Sequence, residues 1–371
     1  MDNYDVAIIG AGINGCSLAY ELHKKGRKVL VLEQEGIASG GSGAAGAFIN
    51  PKISKSGQLK ELIEKAYLYS IDFYAKEFSR YTTSAPLLHI AKYEDDNEKV
   101  AYFKEHTSLA TAQRPKELDS LLTPYAKAFS SVYLQKSAIV EAQDICKAML
   151  EGVDYFQMKV EDPLYKEGLW HIGSYRAERV VLCTGAYDEI FKEPYMKLRR
   201  IYGQRCEIES STPISVTVHH EVSVSALKKN GRIALGASHY LHEEEMPSKE
   251  QGEQELIRLA QKSVELKDVK VHDSFCGMRA GSNDYLPVLG PLIRSDKSLE
   301  AGKSALKGDS KAYTEPYPEL YMMNGVGGYG FVLAPYLARL ICDYFIDKKE
   351  LPESLEPKRF YYRFAKKEGK K

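Results

Sequence analysis

A glycine motif near the start of the chain has the residue types and spacing of a dinucleotide site. Gly10-Ala11-Gly12-Ile13-Asn14-Gly15 stands between a strand pattern and a helix pattern, and Glu33 follows Gly12 by 21 positions. Glycines allow a tight turn and close approach of the backbone to a pyrophosphate, while the helix N-terminus offers unpaired N–H groups. The Glu33 carboxylate can accept both hydrogen bonds of a ribose diol. The alternative is an ordinary glycine turn between strand and helix. The residues predicted to bind the dinucleotide are Gly10, Gly12, Ile13, Asn14, Gly15, Glu33 and Gln34.

Two further glycine segments favour FAD over a nicotinamide dinucleotide. Residues 38–46 and 325–330 lie at opposite ends of the chain, and only a long ligand needs both. Glu33 also disfavours NADP, because a 2′-phosphate would bring two negative charges together. The helix predicted to begin near Phe331 directs its positive end toward the late turn, where a reduced flavin would carry negative charge.

Four segments together resemble the D-amino acid oxidase superfamily: the first glycine motif, Thr184-Gly185-Ala186, residues 277–290 and residues 325–335. The resemblance implies an α/β fold with FAD as cofactor. In that fold, a Rossmann-like FAD-binding domain of the glutathione-reductase type carries an inserted, mainly antiparallel β-sheet substrate domain. A plain strand end at residue 184 and a plain helix N-cap in the late turn are the alternatives. The further cofactor-binding residues implied are Ser39, Gly40, Ala45, Gly46, Ala47, Val160, Thr184, Gly185, Arg279, Gly325, Gly327, Gly328, Tyr329, Gly330 and Phe331.

Arg279 is the candidate for substrate binding. A guanidinium binds a carboxylate bidentately, and the resemblance to glycine oxidase and D-amino acid oxidase puts the substrate-carboxylate arginine at this position. A structural ion pair is its alternative role. The family chemistry implied is hydride transfer from the carbon between amine and carboxylate to the flavin, with no dedicated base if the amine arrives neutral. Tyr240 and Lys52 are further candidates for the pocket wall.

Residues 36–52, Asp284-Tyr285-Leu286-Pro287 and Tyr202-Gly203-Gln204 are similar to the oxidase domain of the bifunctional tRNA wobble-uridine enzymes called MnmC. This resemblance implies oxidation of the glycine moiety of 5-carboxymethylaminomethyl(-2-thio)uridine in tRNA, giving 5-aminomethyl(-2-thio)uridine and glyoxylate. Arg279 would again hold the carboxylate. Because the chain starts directly with the predicted flavin domain, we expect a separate methyltransferase to act on the product.

Other readings of the same residues stay open. One is an oxidase or dehydrogenase of a free amino acid such as glycine, sarcosine or a D-amino acid, and another is a flavin-binding protein without turnover. Residues 197–202 and 358–367 combine basic and aromatic side chains and are candidates for contacting RNA, or are solvated charge runs. Cys276 resembles the cysteine to which sarcosine oxidases attach flavin, although its spacing to the next aspartate differs.

The elements that must position these residues follow from apolar periodicity. The pattern predicts strands at 5–9, 28–33, 179–183, 214–218, 232–236 and 319–325, and helices at 14–25, 59–80 and 331–346. Residues 1–80, 134–200 and 311–371 are expected to form the FAD-binding domain. Residues 81–133 and 201–310 are expected to form the substrate-binding domain.

Composition excludes several functional classes. The 371 residues carry 51 basic and 51 acidic side chains, so bulk charge predicts neither a nucleic-acid nor a membrane partner. The six cysteines lie far apart and have no histidine at ligand spacing, and we therefore expect buried thiols and no metal. No apolar stretch of about 18 residues is evident, and the N-terminus lacks a leader pattern, so the expected location is the cytoplasm.

Overall fold

The structure, a computed structural model, describes residues 3–187, 190–302 and 313–368. Its helices and strands in these ranges are numbered in chain order. The strands are β1 Asn3–Ile9, β2 Val29–Glu33, β3 Phe48–Ile49, β4 Thr82–Ser84, β5 Leu87–Ile90, β6 Thr111–Ala112, β7 Ser131–Leu134, β8 Ala138–Val140, β9 Asp154–Gln157, β10 Leu164–Lys166, β11 Leu169–Ile172, β12 Tyr175–Leu182, β13 Leu198–Glu209, β14 Thr217–His219, β15 Ser223–Val224, β16 Ile233–Gly236, β17 Lys270–Ser282, β18 Val288–Ile293 and β19 Pro316–Asn324. The helices are α1 Ile13–Lys24, α2 Gln58–Glu77, α3 Asp96–His106, α4 Pro124–Lys127, α5 Ala142–Met149, α6 Lys249–Gln261, α7 Ser295–Gly302, α8 Gly330–Asp347 and α9 Lys358–Glu368.

The first sheet is built around the N-terminal strand. Its order is β10-β11-β12-β1-β2-β9, with β19 beside β12 and β18 beside β19. Strand β1 runs parallel to both β2 and β12, and β12 runs parallel to β19. Nine of the twelve residues of β1 and β2 are buried, as expected for parallel strands covered on both faces. The carboxyl ends of β1, β2, β12 and β19 therefore meet at one edge of the sheet.

Helix α8 lies at the centre of the helical layer, packed against α1 and α2. Pro335 interrupts its hydrogen-bond ladder, because proline has no N–H to donate to the carbonyl of Phe331 four residues earlier. The Tyr74 hydroxyl donates to that carbonyl at 2.9 Å, and the Ser70 hydroxyl donates to the carbonyl of Val332 at 2.7 Å. The Tyr74 side chain on α2 thus satisfies the carbonyl that the proline leaves free, and Ser70 adds a bond to the next carbonyl.

The stretch Gly327–Asp347, which contains α8, passes the length and composition test for a membrane span, contrary to the expectation that no stretch does. The core helix of a globular protein passes the same test. The buried residues of α8 include Leu333, Leu337 and Ile341, and they belong to the main hydrophobic core.

The second sheet has the order β17-β13-β16-β15-β14-β5-β7-β6 and is antiparallel except for the pair β14 and β5. Strands β13 and β17 form its longest ladder. Helix α6 packs on β13, β16 and β17, burying Leu256 and Ala260 against one face. The small sheet β3-β8-β4 contacts α2 and α8, and Ile139 of β8 clusters with Ala226, which follows β15 of the second sheet.

The division between the two predicted domains needs one adjustment. Strand β18 lies within the segment 201–310 expected in the substrate-binding domain, but it pairs with β19 in the first sheet. Hydrophobic pattern alone does not say which sheet a buried strand joins. We propose that the second visit to the substrate-binding domain ends before Val288. The boundary expected at residue 310 lies outside the described residues.

The C-terminal segment predicted as a candidate RNA contact is the helix α9, and part of it is structural. Arg359 donates to the Asp284 carboxylate and to the carbonyls of Leu286 and Pro287. Phe360 and Tyr361 are buried beneath the first sheet. The exposed basic residues that remain on this helix are Arg363, Lys366 and Lys367.

Candidate functional site

A cavity of about 970 Å³ lies between the carboxyl edge of the first sheet and the open face of the second. This volume is at the upper end of the range for small-molecule sites. Residues from both ends of the chain line it. The predicted residues found in its wall are Gly10, Gly12, Ile13, Asn14, Glu33, Gln34, Ser39, Gly40, Ala45, Gly46, Ala47, Lys52, Val160, Thr184, Gly185, Arg279, Gly327, Gly328, Tyr329, Gly330 and Phe331.

Three predicted site residues are not in that wall. Gly15 lies one turn into α1, where a Cβ would sit 1.9 Å from the carbonyl oxygen of Gly10. Gly325 has a φ of +72° at the end of β19 and serves the backbone turn. Tyr240 pairs through its backbone with Tyr202, so the structure does not bring it into the cavity.

The first glycine turn brings two strand ends together at the start of α1. Gly10 has a φ of +109°, and a Cβ at this position would lie 2.4 Å from the carbonyl oxygen of Cys183. Only glycine fits such a close backbone approach. The N–H of Ile13, in the first turn of α1, donates to the Ser42 hydroxyl at 2.9 Å. Ser42 belongs to the glycine segment of residues 38–46, called the early loop below. This loop thus meets the positive end of the helix, where a pyrophosphate would be favoured.

Glu33 at the end of β2 fixes the glycine turn while facing the cavity. One carboxylate oxygen accepts from the N–H of Ala11 at 2.8 Å, and the other accepts from the N–H of Glu35 at 3.1 Å. A carboxylate has about four acceptor positions, so these two bonds leave positions for the hydroxyls of a ribose.

Arg279 lies on β17 beside the late glycine turn. Its Nη2 donates to the carbonyls of Ser238 at 2.5 Å and Tyr202 at 3.5 Å. Nη1 lies 3.7 Å from the position that a Cβ would take on Gly328. The guanidinium is largely buried, and this burial lowers its pKa. No carboxylate contacts it in the described residues, so the structural ion pair considered as its alternative role is not present there.

Gly203 on the neighbouring strand makes room for this arginine. A Cβ on Gly203 would lie 2.2 Å from Nη2 of Arg279 and 2.6 Å from the carbonyl oxygen of Ser238. The guanidinium therefore lies over β13 and is anchored there through Nη2. Among the described residues none accepts a hydrogen bond from Nη1 or Nε, so a free edge remains for a ligand carboxylate.

The early loop packs directly on the strand that carries Arg279. A Cβ on Gly41 would lie 2.6 Å from the carbonyl oxygen of Met278, and one on Gly277 would lie 2.6 Å from the Cβ of Ala44. Arg205 adds a hydrogen bond of 3.1 Å from its guanidinium to the carbonyl of Gly43. The late turn meets the same strand through a backbone bridge between Gly281 and Val326. The two glycine segments are thus held around one part of the cavity.

Lys52 and Tyr329 lie together in the cavity wall. The Lys52 ammonium is 5.7 Å from the centre of the Tyr329 ring. Burial, followed by the charge of Lys99, lowers the pKa of Lys52. Burial raises the pKa of Tyr329 to about 12, so this phenol stays protonated and can act as a hydrogen-bond donor.

Several polar residues of the cavity wall were not predicted from the sequence. His89 and His219 come together because β5 and β14 pair in parallel. No local sequence motif predicts this contact. Asn50 accepts a hydrogen bond from Ser137 at 2.6 Å, while its amide nitrogen is buried without a partner. A polar residue within the small-residue stretch 38–52 was the available signal for Asn50.

Comparison with known proteins agrees with this architecture. The family model described as "DAO: FAD dependent oxidoreductase" matches residues 5–344. The chain is similar to a protein of Legionella pneumophila named "tRNA 5-methylaminomethyl-2-thiouridine biosynthesis bifunctional protein MnmC", with 26% identity over 97% of this chain and 57% of that protein. A protein of the same name from Leptospira interrogans is 25% identical over 98% of this chain and 61% of its own length.

Solved structures show the same fold. Glycine oxidase from Geobacillus kaustophilus superposes with a TM-score of 0.76 and 20% identity, covering 96% of this chain and 98% of that one. Glycine oxidase from Bacillus cereus gives a TM-score of 0.75 at 20% identity, covering 94% and 96%. The chain spans about 57% to 61% of the length of the curated relatives described above, so their full activities exceed what it covers.

Proposed function

The chain belongs to the DAO family of FAD-dependent oxidoreductases, and on that premise we propose that it oxidises the glycine moiety of 5-carboxymethylaminomethyl(-2-thio)uridine at the tRNA wobble position. The products would be 5-aminomethyl(-2-thio)uridine and glyoxylate. The observation that carries the proposal is the position of Arg279: a buried guanidinium in the cavity wall, beside the late glycine turn and without a carboxylate partner among the described residues.

The residues of the cavity fit FAD. The close backbone approach at Gly10 and the start of α1 would take the pyrophosphate, and Glu33 would take the adenosine ribose. The early loop and the turn Gly327–Tyr329 would flank the flavin. Helix α8 begins at Gly330, so its positive end would favour the negative charge of a reduced flavin. Cys276 is exposed and does not line the cavity, which argues against covalent attachment there.

The reaction follows from where the carboxylate is held. Arg279 would bind the carboxylate and fix the adjacent methylene, and bound FAD supplies the two-electron acceptor. Loss of a hydride from the methylene of a neutral secondary amine leaves an iminium. Water adds to the iminium carbon and the C–N bond breaks, so that the nitrogen leaves with the uridine as a primary amine and the carbon leaves as glyoxylate. Positioning the methylene is the contribution of the protein, since proximity alone can remove a large part of such a barrier.

The tRNA substrate is supported by the names of the curated relatives and by the motifs in the loop of residues 36–52. We further propose that the enzyme acts in the cytoplasm and that a methyltransferase consumes the aminomethyl product, in line with the methylaminomethyl product in the relatives' name. The same arginine would also bind free glycine or sarcosine, and the glycine oxidase fold is compatible with that second candidate. A flavin-binding protein without turnover would not need an arginine that lines the cavity without a carboxylate partner among the described residues.

Nucleoside mass spectrometry tests the proposal. Purified holoprotein is incubated with tRNA that carries the carboxymethylaminomethyl group, and the nucleosides are then released and measured. We expect conversion to the aminomethyl nucleoside, with one glyoxylate formed for each. Anaerobic bleaching of the flavin by the same tRNA, compared with millimolar glycine and sarcosine, separates the two candidates. An unchanged nucleoside together with rapid bleaching by a free amino acid would favour the second.

Variants connect this result to the carboxylate site. Arg279→Lys keeps the charge but loses the planar fork, and we expect it to lower kcat/KM on tRNA by about 10²-fold. Arg258→Lys on the exposed face of α6 is the matched control, since the hydrogen bonds of Arg258 to described residues go to Glu255 on the same helix. An Arg279→Lys enzyme as active as the control would remove the central support for the proposal.

A further inference from the structure

The imidazole rings of His89 and His219 form a polar pair in the cavity wall, apart from Arg279. His89 on β5 and His219 on β14 are direct partners across the parallel pair of strands. Their rings lie nearly parallel, with centroids 5.4 Å apart and an interplanar angle of 20°. Both side chains line the cavity, and each keeps part of its surface accessible there. Neither residue is among those proposed above to hold the cofactor or to bind the carboxylate.

The hydrogen bonds of this pair leave ring nitrogens unused. The Nδ1 atom of His219 is 2.6 Å from the hydroxyl of Ser223, which fixes the ring and leaves Nε2 without a role. His89 makes no side-chain hydrogen bond to any of the described residues, which leaves both of its ring nitrogens open to a ligand. These nitrogens face the cavity and can exchange hydrogen bonds with a ligand that has its own donors and acceptors.

The electrostatic surroundings keep both rings neutral. Burial lowers the pKa of His89 to about 3; His219, His220 and Lys52 lower it further, while the charge of Asp96 raises it. Burial also lowers the pKa of His219 to about 4. A neutral imidazole offers one donor and one acceptor. This pair therefore suits a neutral partner that alternates acceptors and donors better than it suits a phosphate or a second carboxylate.

The imidazoles and Arg279 project from the same face of the second sheet. Residues that pair directly across neighbouring strands point to the same face of a sheet. A row of such pairs crosses six strands, in the order Phe275, Arg205, Gly236, Ser223, His219 and His89. Arg279 follows Phe275 by an even number of positions and shares that face. Gly203 and Gly236 lie between Arg279 and the imidazoles and line the cavity without side chains. The Arg279 side chain reaches the carbonyl of Ser238, just beyond β16, which brings the guanidinium toward the strands that carry the imidazoles.

We propose that His89 and His219 form the subsite for the pyrimidine-2,4-dione ring of the substrate, while Arg279 binds its glycine carboxylate. The ring N3–H is a donor flanked by two acceptors, which matches two neutral imidazoles. This inference rests on the proposed function and adds a specificity: the imidazole pair distinguishes a uridine-linked glycine from a free amino acid.

Binding of two small probes tests the subsite without tRNA. The first probe is the free nucleoside 5-carboxymethylaminomethyluridine, and the second is sarcosine, which has the same carboxylate and amine but no base. Dissociation constants are measured from the change in the flavin spectrum of the holoenzyme. The variants His89→Phe and His219→Phe keep an aromatic ring but remove the nitrogens. His106→Phe, on the exposed α3, is the control because it stacks on Tyr102 outside the cavity.

We expect each cavity variant to weaken nucleoside binding about tenfold while sarcosine binding stays within twofold of the wild type. Flavin content and thermal midpoint verify that the variants are folded. Equal effects on both probes, no effect on either, or no nucleoside binding by the wild type would overturn the subsite. If wild-type enzyme leaves tRNA unmodified but nucleoside binding depends on the histidines, the proposed function fails and the subsite stands. If wild type and variants modify tRNA equally, the proposed function stands and the subsite fails.

Discussion

Replacing Gly203 with alanine should disable carboxylate binding without touching the arginine itself. The added Cβ would lie 2.2 Å from Nη2 of Arg279, whereas real Cβ contacts are rarely shorter than about 3.4 Å. The guanidinium must therefore move by roughly 1 Å. It cannot move toward Ser238, because Nη2 already lies 2.5 Å from that carbonyl oxygen, which would itself lie 2.6 Å from the new Cβ. A displacement of that size in a substrate-positioning group costs about 10² in rate.

The assay is anaerobic reduction of the flavin by substrate in a stopped-flow instrument, which reports the chemical step before any electron acceptor is involved. We expect Gly203→Ala to lower kcat/KM about 10²-fold. Gly281→Ala on β17 is the matched control, because its Cβ would have no neighbour nearer than 3.5 Å. This control should stay within about threefold of the wild type. Flavin content and the urea midpoint are measured on both variants.

A Gly203→Ala enzyme with kcat/KM within threefold of the wild type would refute the placement of Arg279. Loss of flavin from this variant alone would show a general distortion of the sheet. In that case, sarcosine binding is measured on the fraction of the variant that retains flavin. Weakened binding there would support the placement of Arg279, and unchanged binding would refute it.

Three further predictions follow from local geometry. Gly10→Ala should yield colourless protein, because φ is +109° and the Cβ would meet the carbonyl of Cys183 at 2.4 Å; flavin absorbance of the purified protein checks this, and a yellow variant contradicts it. Tyr74→Phe should lower the free energy of unfolding by about 1–3 kcal/mol in urea titrations, since the carbonyl that Pro335 leaves free loses its donor; an unchanged midpoint contradicts it. Because the pKa values of His89 and His219 are lowered to about 3 and 4, the unfolded chain binds more protons below pH 6.5. The free energy of unfolding should therefore fall as the pH is lowered from 6.5 to about 4, by up to about 1.4 kcal/mol per pH unit for each histidine. The double variant His89→Phe/His219→Phe should flatten that dependence, and an equally steep curve would contradict it.

The part of the fold that local chemistry dictates is predictable from sequence. The unit β1-α1-β2 follows from apolar periodicity, and its predicted ends differ from the observed ends by at most two residues. The two glycine segments and Arg279 are also visible as motifs. What local patterns do not show is which distant strands pair. The approach of His89 to His219 depends on a parallel pairing across more than a hundred residues.

Other discrepancies have the same cause. β18 reads as a buried strand in any sheet, and only its pairing with β19 assigns it to the first domain. Arg359 reads as part of a basic segment, but Asp284 and two carbonyls take its guanidinium. Tyr240 follows β16, whose end Gly236 lines the cavity, but Tyr240 itself pairs with Tyr202 and is not part of the wall. In each case a long-range contact decides between roles that the residue type leaves open.

A crystal structure of the oxidised holoprotein with a bound N-substituted glycine tests the central claim most directly. We predict an isoalloxazine between the early loop and the turn Gly327–Tyr329, with the ligand carboxylate bound to the free edge of the Arg279 guanidinium. A carboxylate held elsewhere, or a flavin separated from Arg279 by protein side chains, would contradict it.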